Sequence, residues 1–331
     1  MKQLNWGILS TAKIGQTQII PAIQRSVNGK VVAIASRGEK AKKVAEELDI
    51  PTAYTSYEQL LEDPNIDAVY IPLPNSLHKQ WVMEAAKHGK HVLCEKPAAL
   101  NYSELKEMID TCKKHNVKFM EAFMYQFHPQ HEKVKEIIAS GKIGDVSYMT
   151  ASFSFLLGDE NNIRLDGDLG GGSLYDVGSY TVHSICNILD DQPTHVYANA
   201  RIHEKCNVDT TVAGVLSFQN GIQTSFDCSF DLTFRQSYQV IGSKGIIEVM
   251  APYRPDVTVN GDGEIRIHLD GETEKIRVSG DQYKLQVEHF AGAIIENKEP
   301  SYSSEKMLNN MKVLDAALQS IEQRTPINLK E

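Results

Sequence analysis

Over roughly its first 120 residues the chain changes period again and again, and that alternation restricts its fold more than any other feature. Short apolar runs rich in β-branched residues stand at LNWGIL (4–9), VVAIAS (31–36), AVYIPL (68–73), HVLCE (91–95) and VKFMEA (117–122). Between them lie stretches of helical period: AKIGQTQIIPAIQRS, KAKKVAEEL, SLHKQWVMEAAKHG and NYSELKEMIDTCKKHN. The runs hardly alternate apolar with polar, so both faces of each strand are buried, as in a parallel sheet. Regular β-α succession then predicts a doubly wound α/β domain with right-handed crossovers. Helix ends are marked too. Asn101 caps NYSEL with Glu104 three residues on, and Gly89 stops the helix before it.

Past residue 122 the pattern changes. A helix over about His128–Ser140 leads through Gly141 and Gly144 into VSYMTASFSF, THVYANARIH, TTVAGVLSFQ, IQTSFDCSF, SYQVIGS, GIIEVM and EIRIHL. Many of these alternate, as a mostly antiparallel sheet with one covered face does. Helical stretches at Leu174–Leu189, 282–296 and 304–323 are expected to cover it. A chain of 331 residues is too long for one small core. The expectation is two domains, a doubly wound one at residues 1–122 and an α+β one at 123–331.

A formal charge of -9 argues against a nucleic-acid surface. No run reaches the ~18 uncharged apolar residues of a membrane span, and the N-terminus lacks a signal-peptide layout. Cys94, Cys112, Cys186, Cys206 and Cys228 are scattered and odd in number, which predicts reduced thiols, no metal site and a cytoplasmic protein.

GILSTAKIG (7–15) sits where a phosphate-binding loop would. Ser10 and Ala12 stand in the G-x-G-x-x-G frame where glycine is usual, and Gly15 remains. A strand, a tight turn and a helix N-terminus aim free amides and the positive dipole end at an anion. Small residues replace glycine if the backbone there is not left-handed, and the Ser10 and Thr11 hydroxyls are further donors. A plain turn with a serine cap explains the loop equally well. Ser36 and Arg37 end the second apolar run, at the place of the acid that binds ribose hydroxyls in NAD-preferring sites. A guanidinium and a hydroxyl suit a 2'-phosphate instead, which favours NADP(H), with NAD(H) as the other candidate. Glu95, Lys96 and Pro97 follow HVLC at a strand's carboxyl end, where open α/β sheets bind ligands.

GKHVLCEKP, IPLPNSLHKQW and GGGSLYDVGSYTVH together resemble the glucose-fructose oxidoreductase/inositol dehydrogenase/MocA family over essentially the whole chain. STAKIG, ASR, EAFMYQFHPQ and LYDVGSY are most similar to the subgroup with dimeric dihydrodiol dehydrogenase and NADP-dependent aldose dehydrogenases. The resemblance implies a Rossmann domain, a second domain with a large open sheet, and a homodimer or homotetramer formed through that sheet. It implies cofactor contacts from Ser10, Thr11, Ala12, Ile14, Gly15, Ser36, Arg37, Pro72, Leu73, Asn75, His78, Glu95 and Lys96. It also places Asp176 and Tyr180 opposite the nicotinamide and near Lys96, where many relatives have histidine in place of Tyr180.

Ser173, Asp176, Tyr180 and His183 or Ser184 recur at three- and four-residue steps, so one helix face carries them. An alcohol that loses hydride to a nicotinamide also loses its hydroxyl proton. A phenol of ordinary pKa near 10 is a poor base, and a nearby ammonium makes it a better one. Tyr180 is therefore expected to transfer the proton, Lys96 to tune it and hold the reacting oxygen, and Asp176 to orient the substrate; Lys96 as the acid/base is the variant. Phe127 is a candidate substrate contact, and Arg164 a contact of the substrate or the pyrophosphate or else half of a loop salt bridge. His183 is a substrate contact or, preferably, a core histidine. Gln126 stands where relatives often have arginine, against an anion site there. The expected activity is oxidation of a CH–OH group, or reduction of C=O, in a sugar, polyol or cyclic diol. A cofactor-sensing regulator without catalysis is the second reading.

Overall fold

The computed structural model describes residues 3–258 and 261–330. Met1, Lys2 and Glu331, at the ends of the expected domains, lie outside the described residues. Two compact units emerge: residues up to Met124 together with Gln282–Leu308, and Tyr125–Asp281 together with the residues from Asn309 on.

In the first unit, β1 (Leu4–Leu9), β2 (Gly29–Ala35), β3 (Thr52–Tyr54), β4 (Ala68–Ile71), β5 (His91–Cys94) and β6 (Phe119–Glu121) form a parallel sheet in the order 3-2-1-4-5-6. That is the Rossmann order, with its ligand crevice at the carboxyl ends of the strands. β4 is buried at every position, as its unbroken apolar run predicts. The helices are α1 (Ile20–Arg25), α2 (Lys40–Glu47), α3 (Tyr57–Glu62), α4 (Asn75–Lys87) and α5 (Tyr102–Lys114). The side chain of Asn101 accepts the Glu104 amide at 2.9 Å and that of Glu104 accepts the Leu100 amide at 3.2 Å, so the expected cap closes α5. Gly89, at φ +70°, follows α4 in the left-handed conformation that ends helices. Short β3 and α3 carried too few apolar residues to be singled out from sequence.

In the second unit α6 (Pro129–Ala139) and α7 (Ser179–Leu189) pack against a nine-stranded sheet. Its strands are β7 (Val146–Leu156), β8 (Pro193–Ile202), β9 (Asp209–Phe218), β10 (Gln223–Ser229), β11 (Asp231–Gly242), β12 (Gly245–Val249), β13 (Gly263–Leu269), β14 (Glu272–Val278) and β15 (Ile327–Asn328). They lie in the order 14-13-12-11-7-10-9-8-15, and only β7 with β10 is a parallel pair. Met149, Ala151 and Phe153 of β7 point to the covered face at period two.

One helix covers a different sheet from the one expected. α8 (Gln282–Ile295) packs on α1 and β2 of the first unit. Phe290 meets Trp6 with ring centroids 5.9 Å apart, and Asn28 Nδ2 donates to the Glu288 carbonyl at 2.8 Å. Periodicity finds a buried face, here Tyr283, Val287, Phe290 and Ala291, without saying which sheet it meets. α9 (Ser304–Gln323) does reach the second sheet, where Ser320 Oγ accepts the Ala198 amide at 3.0 Å.

Candidate active site

The carboxyl ends of β1, β2, β4, β5 and β6 deliver Ser10, Ser36, Pro72, Glu95 and Glu121 to one edge of the first sheet. Ser10 departs from the expectation that its backbone avoids the glycine region. Its φ is +141°, which L side chains rarely adopt. The hydroxyl compensates locally: Oγ accepts the Ala12 amide at 3.0 Å and donates to the Pro72 carbonyl at 3.3 Å. Ser10 thus ties the β1 loop to the β4 loop instead of offering a free donor. A wide five-residue turn, Gly15–Ile19, precedes Pro21, which lacks an amide hydrogen; such turns are frequent at functional sites. The amides of the first turn, including Ile14, have no carbonyl four residues back and so remain donors for an anion. A Cβ on Gly15 would meet Pro72, Tyr70 and Ile8 only at 3.7–3.8 Å, so space alone does not demand glycine there.

Ser36 is buried and its Oγ accepts the Ala41 amide at 2.8 Å, which caps α2. Arg37 is exposed beside Tyr57, whose hydroxyl is pushed up by burial and held back by the guanidinium. Leu73 and His78 form a tie as well. His78 is fully buried, with Nδ1 2.9 Å from the Pro97 carbonyl and Nε2 2.8 Å from the Leu73 carbonyl. Burial lowers its pKa to about 4, so at neutral pH one ring nitrogen carries the only N–H. Asn75 opens α4, half-buried. Tyr70 Oη donates to Glu95 Oε1 at 2.5 Å, and Lys96 follows directly.

Sequence reasoning missed Glu121, the last residue of β6. It is fully buried, accepts the Ala98 amide at 2.8 Å and the Tyr302 hydroxyl at 3.3 Å, and burial raises its pKa to about 7. The signal was present: an acid closing an otherwise buried apolar strand, VKFMEA.

The second unit gathers a different set. A second wide turn, Leu174–Gly178, leads into α7 and inserts a residue into the helical count, so the even stripe expected from Ser173 onward is broken. Ser173 turns to Asp209, donating at 2.7 Å, while the Leu174 amide donates to the same carboxylate oxygen. Asp176 Oδ2 accepts Arg164 Nε at 2.5 Å, and the guanidinium lies 5.8 Å above the Phe155 ring. The glycine run is not slack. A Cβ on Gly171 would stand 2.5 Å from the Arg164 carbonyl, and Gly172 has φ +116° with its amide on that same carbonyl at 2.9 Å. These glycines let the Arg164 turn lie against the start of α7.

Tyr180 is 6% exposed, its ring 5.5–5.7 Å from those of Tyr125, Phe153 and Tyr253. His183 is buried with Nδ1 2.5 Å from the Tyr125 hydroxyl, and Ser184 Oγ lies 3.0 Å from Tyr253 Oη. Phe127 is half-buried in the short turn Met124–Phe127. Tyr125, Phe153 and Tyr253 were not anticipated, because nothing local in sequence links them to α7. Among the described residues, no group of three His, Cys, Asp or Glu is arranged to hold a metal, and no helix is long and apolar enough to cross a membrane.

Residues 4–123 match a family described as an oxidoreductase family with an NAD-binding Rossmann fold, and residues 131–248 match the GFO/IDH/MocA C-terminal domain. The chain belongs to the GFO/IDH/MocA oxidoreductase family. It is 42% identical to D-xylose 1-dehydrogenase (NADP(+)) 2 of Haloferax volcanii over 98% of this chain and 99% of that one. It is 31% identical to trans-1,2-dihydrobenzene-1,2-diol dehydrogenase of Xenopus tropicalis, over 96% and 97% of the two chains. Among solved structures, a 3-ketoreductase from Actinomadura kijaniata in complex with NADP and TDP-benzene superposes with a TM-score of 0.92 at 27% identity, covering 96% of this chain and 98% of its own. That ketoreductase has also been solved with a single Tyr-to-Phe and with a single Lys-to-Ala change. As a member of the GFO/IDH/MocA family the protein is an NAD(P)-dependent oxidoreductase.

Proposed function

We propose that the protein is an NADP(H)-dependent dehydrogenase of a sugar-like CH–OH group, with an aldose as the first substrate to test. The observation that carries this reading is the row of strand ends in the first unit. A helix N-terminus behind a loop of small residues faces a pyrophosphate, and exposed Arg37 after β2 suits a 2'-phosphate. The residues present therefore fit the dinucleotide. NADP-linked D-xylose oxidation by the Haloferax relative supports both halves of the reading.

A bound NADP+ would supply the hydride acceptor for the carbinol carbon, which becomes a carbonyl. The hydroxyl proton must leave in the same reaction, and Tyr180 is assigned to receive it. Lys96 is assigned to hold the reacting oxygen. Asp176, fixed through Arg164, orients the sugar, and the rings of Tyr125, Phe153 and Tyr253 hold the Tyr180 ring at one angle. A tyrosine and a lysine are also the residues replaced singly in the solved ketoreductase, which agrees with this division.

Two further assignments belong to this reading. Tyr197 and Val215, directly paired across β8 and β9, are exposed side by side, which supports a second copy of the chain packing on that face as a homodimer or homotetramer. The five free cysteines, four of them buried, support a reducing, cytoplasmic setting. The test of function is nicotinamide absorbance with NADP+ or NAD+ against D-xylose, D-glucose, a cyclic trans-diol and, in reverse, dicarbonyls. The expected result is turnover of an aldose with NADP+ preferred about tenfold or more, in line with a charge-assisted contact of ~1.5–3 kcal/mol. No turnover in either direction with either cofactor overturns it.

A further inference from the structure

Glu121 has no place in the chemistry described so far, yet it is the most costly side chain at the Lys96 end of the sheet. A carboxyl group with no exposed surface is expensive to retain unless its contacts have a use. Its three contacts all have a place in the site's architecture. Oε1 accepts the amide of Ala98, two residues past Lys96. Oε2 accepts the hydroxyl of Tyr302, and the Glu121 amide donates to Met307 Sδ at 3.2 Å. The turn that presents Lys96 is thus held from one side by Glu121 and from the other by His78, whose ring reaches the Pro97 carbonyl. The Lys96 ammonium acts electrostatically on both buried groups: it favours the Glu121 carboxylate and disfavours a charged His78.

We propose that Glu121 is a positioning residue for the reaction: its carboxylate anchors the Lys96–Pro97–Ala98 turn through the Ala98 amide and so fixes where Lys96 stands. This rests on the assignment of Lys96 to the reacting oxygen. The titratable groups facing Glu121 are Lys96, Glu95 and Cys94 at the end of β5, and Tyr302 ahead of α9. Of these, Lys96 and the Tyr302 hydroxyl favour the carboxylate, while Glu95 and burial oppose it.

The test is Glu121→Gln, which keeps an oxygen for the Ala98 amide and removes only the charge. In the full-length variant, kcat should fall about tenfold or more above about pH 7, where the wild-type carboxyl is ionised, with KM for the sugar little changed, and the acid limb that belongs to this carboxyl should vanish. A second readout does not need turnover: acetic anhydride labelling of Lys96, followed by peptide mass spectrometry. Labelling should be several-fold faster in Glu121→Gln, because an amide oxygen holds the Ala98 N–H more weakly than a carboxylate and the turn that positions Lys96 loosens. A variant that folds, keeps the wild-type pH profile and labels at the wild-type rate overturns the proposal and leaves Glu121 a structural cap. Should Glu121→Gln not fold, Tyr302→Phe takes its place. Loss of that hydroxyl should move the acid limb to higher pH, and an unmoved limb counts against the proposal. Absence of wild-type turnover with any sugar overturns the functional reading instead, and the labelling comparison still decides on Glu121.

Discussion

Around Lys96 the first unit buries groups that ionise or bond strongly, Glu121, His78 and the Tyr70–Glu95 pair, whereas around Tyr180 the second unit buries rings. The first arrangement fixes charge. Its hydrogen bonds run between loops that follow different strands, so a shift of one loop is felt at the next. The second fixes orientation. Tilted, edge-on and stacked contacts among Tyr125, Phe153, Tyr180 and Tyr253 hold a phenol by shape, and an ion pair joins Arg164 to Asp176, four residues before Tyr180. Under the proposed function the difference is a division of labour for hydride chemistry: the first unit's assigned role is the electrostatics of the reacting oxygen, the second's the angle of the proton acceptor.

Removing the charge is the harshest way to break this contrast. Lys96→Ala should lower kcat by about a hundred- to ten-thousand-fold, the range for a group that acts in proton transfer, while the unfolding midpoint stays near that of the wild type. Steady-state rates at saturating sugar check it. Removing shape should act on stability as well as on rate. Phe153→Ala leaves a void beneath Tyr180 and should cost about 3–5 kcal/mol in denaturant unfolding.

Changing pH sharpens the contrast without a mutation. The Glu121 pKa in the fold is about 7 against 4.5 for a free carboxyl, so the folded state binds this proton more tightly. That contribution is fully present below about pH 4.5 and is lost as the pH rises through about 7; at 1.36 kcal/mol per unit it amounts to about 3 kcal/mol. Glu121→Gln should therefore lose less stability than the wild type between those limits, by thermal unfolding at fixed ionic strength. Buried histidines act the other way. His78 and His131, lowered from 6.5 to about 4 and about 3, cost stability as the pH falls below about 6.5. Both unfolding trends should appear in one pH series.

Much of the fold could be read from sequence because local rules carried it. Unbroken apolar runs gave parallel strands, Asn101 and Gly89 gave helix ends, and the alternation in β7 gave a half-covered sheet. The partner of α8 was beyond reach, since a periodic face does not specify which sheet receives it. In the candidate site, what sequence could place was position along the chain: Lys96 and Arg37 do stand just past the ends of β5 and β2. Ser10 shows the limit: its residue type was read correctly, but its backbone angle and its bond to Pro72 depend on the neighbouring loop. Glu121 and the tyrosines around Tyr180 come together only through the tertiary fold, and the wide turn at Leu174–Gly178 defeats a count of helical steps.

Smaller effects should leave the contrast intact. Arg37→Ala should cut the preference for NADP+ over NAD+ by about tenfold, roughly 1.4 kcal/mol, with kcat unchanged, because its proposed contact is with the far end of the dinucleotide. Asn101→Ala removes a cap at a distance from both clusters and should cost about 1 kcal/mol of stability with no change in turnover.

The division of labour is tested most directly by single-turnover hydride transfer in Tyr180→Phe, followed over a range of NADP+ concentrations at saturating sugar. The account predicts half-saturation by cofactor close to that of the wild type and a maximal rate lower by at least about a hundredfold. A maximal rate equal to the wild type's, or a large loss of cofactor affinity with the rate preserved, would contradict it.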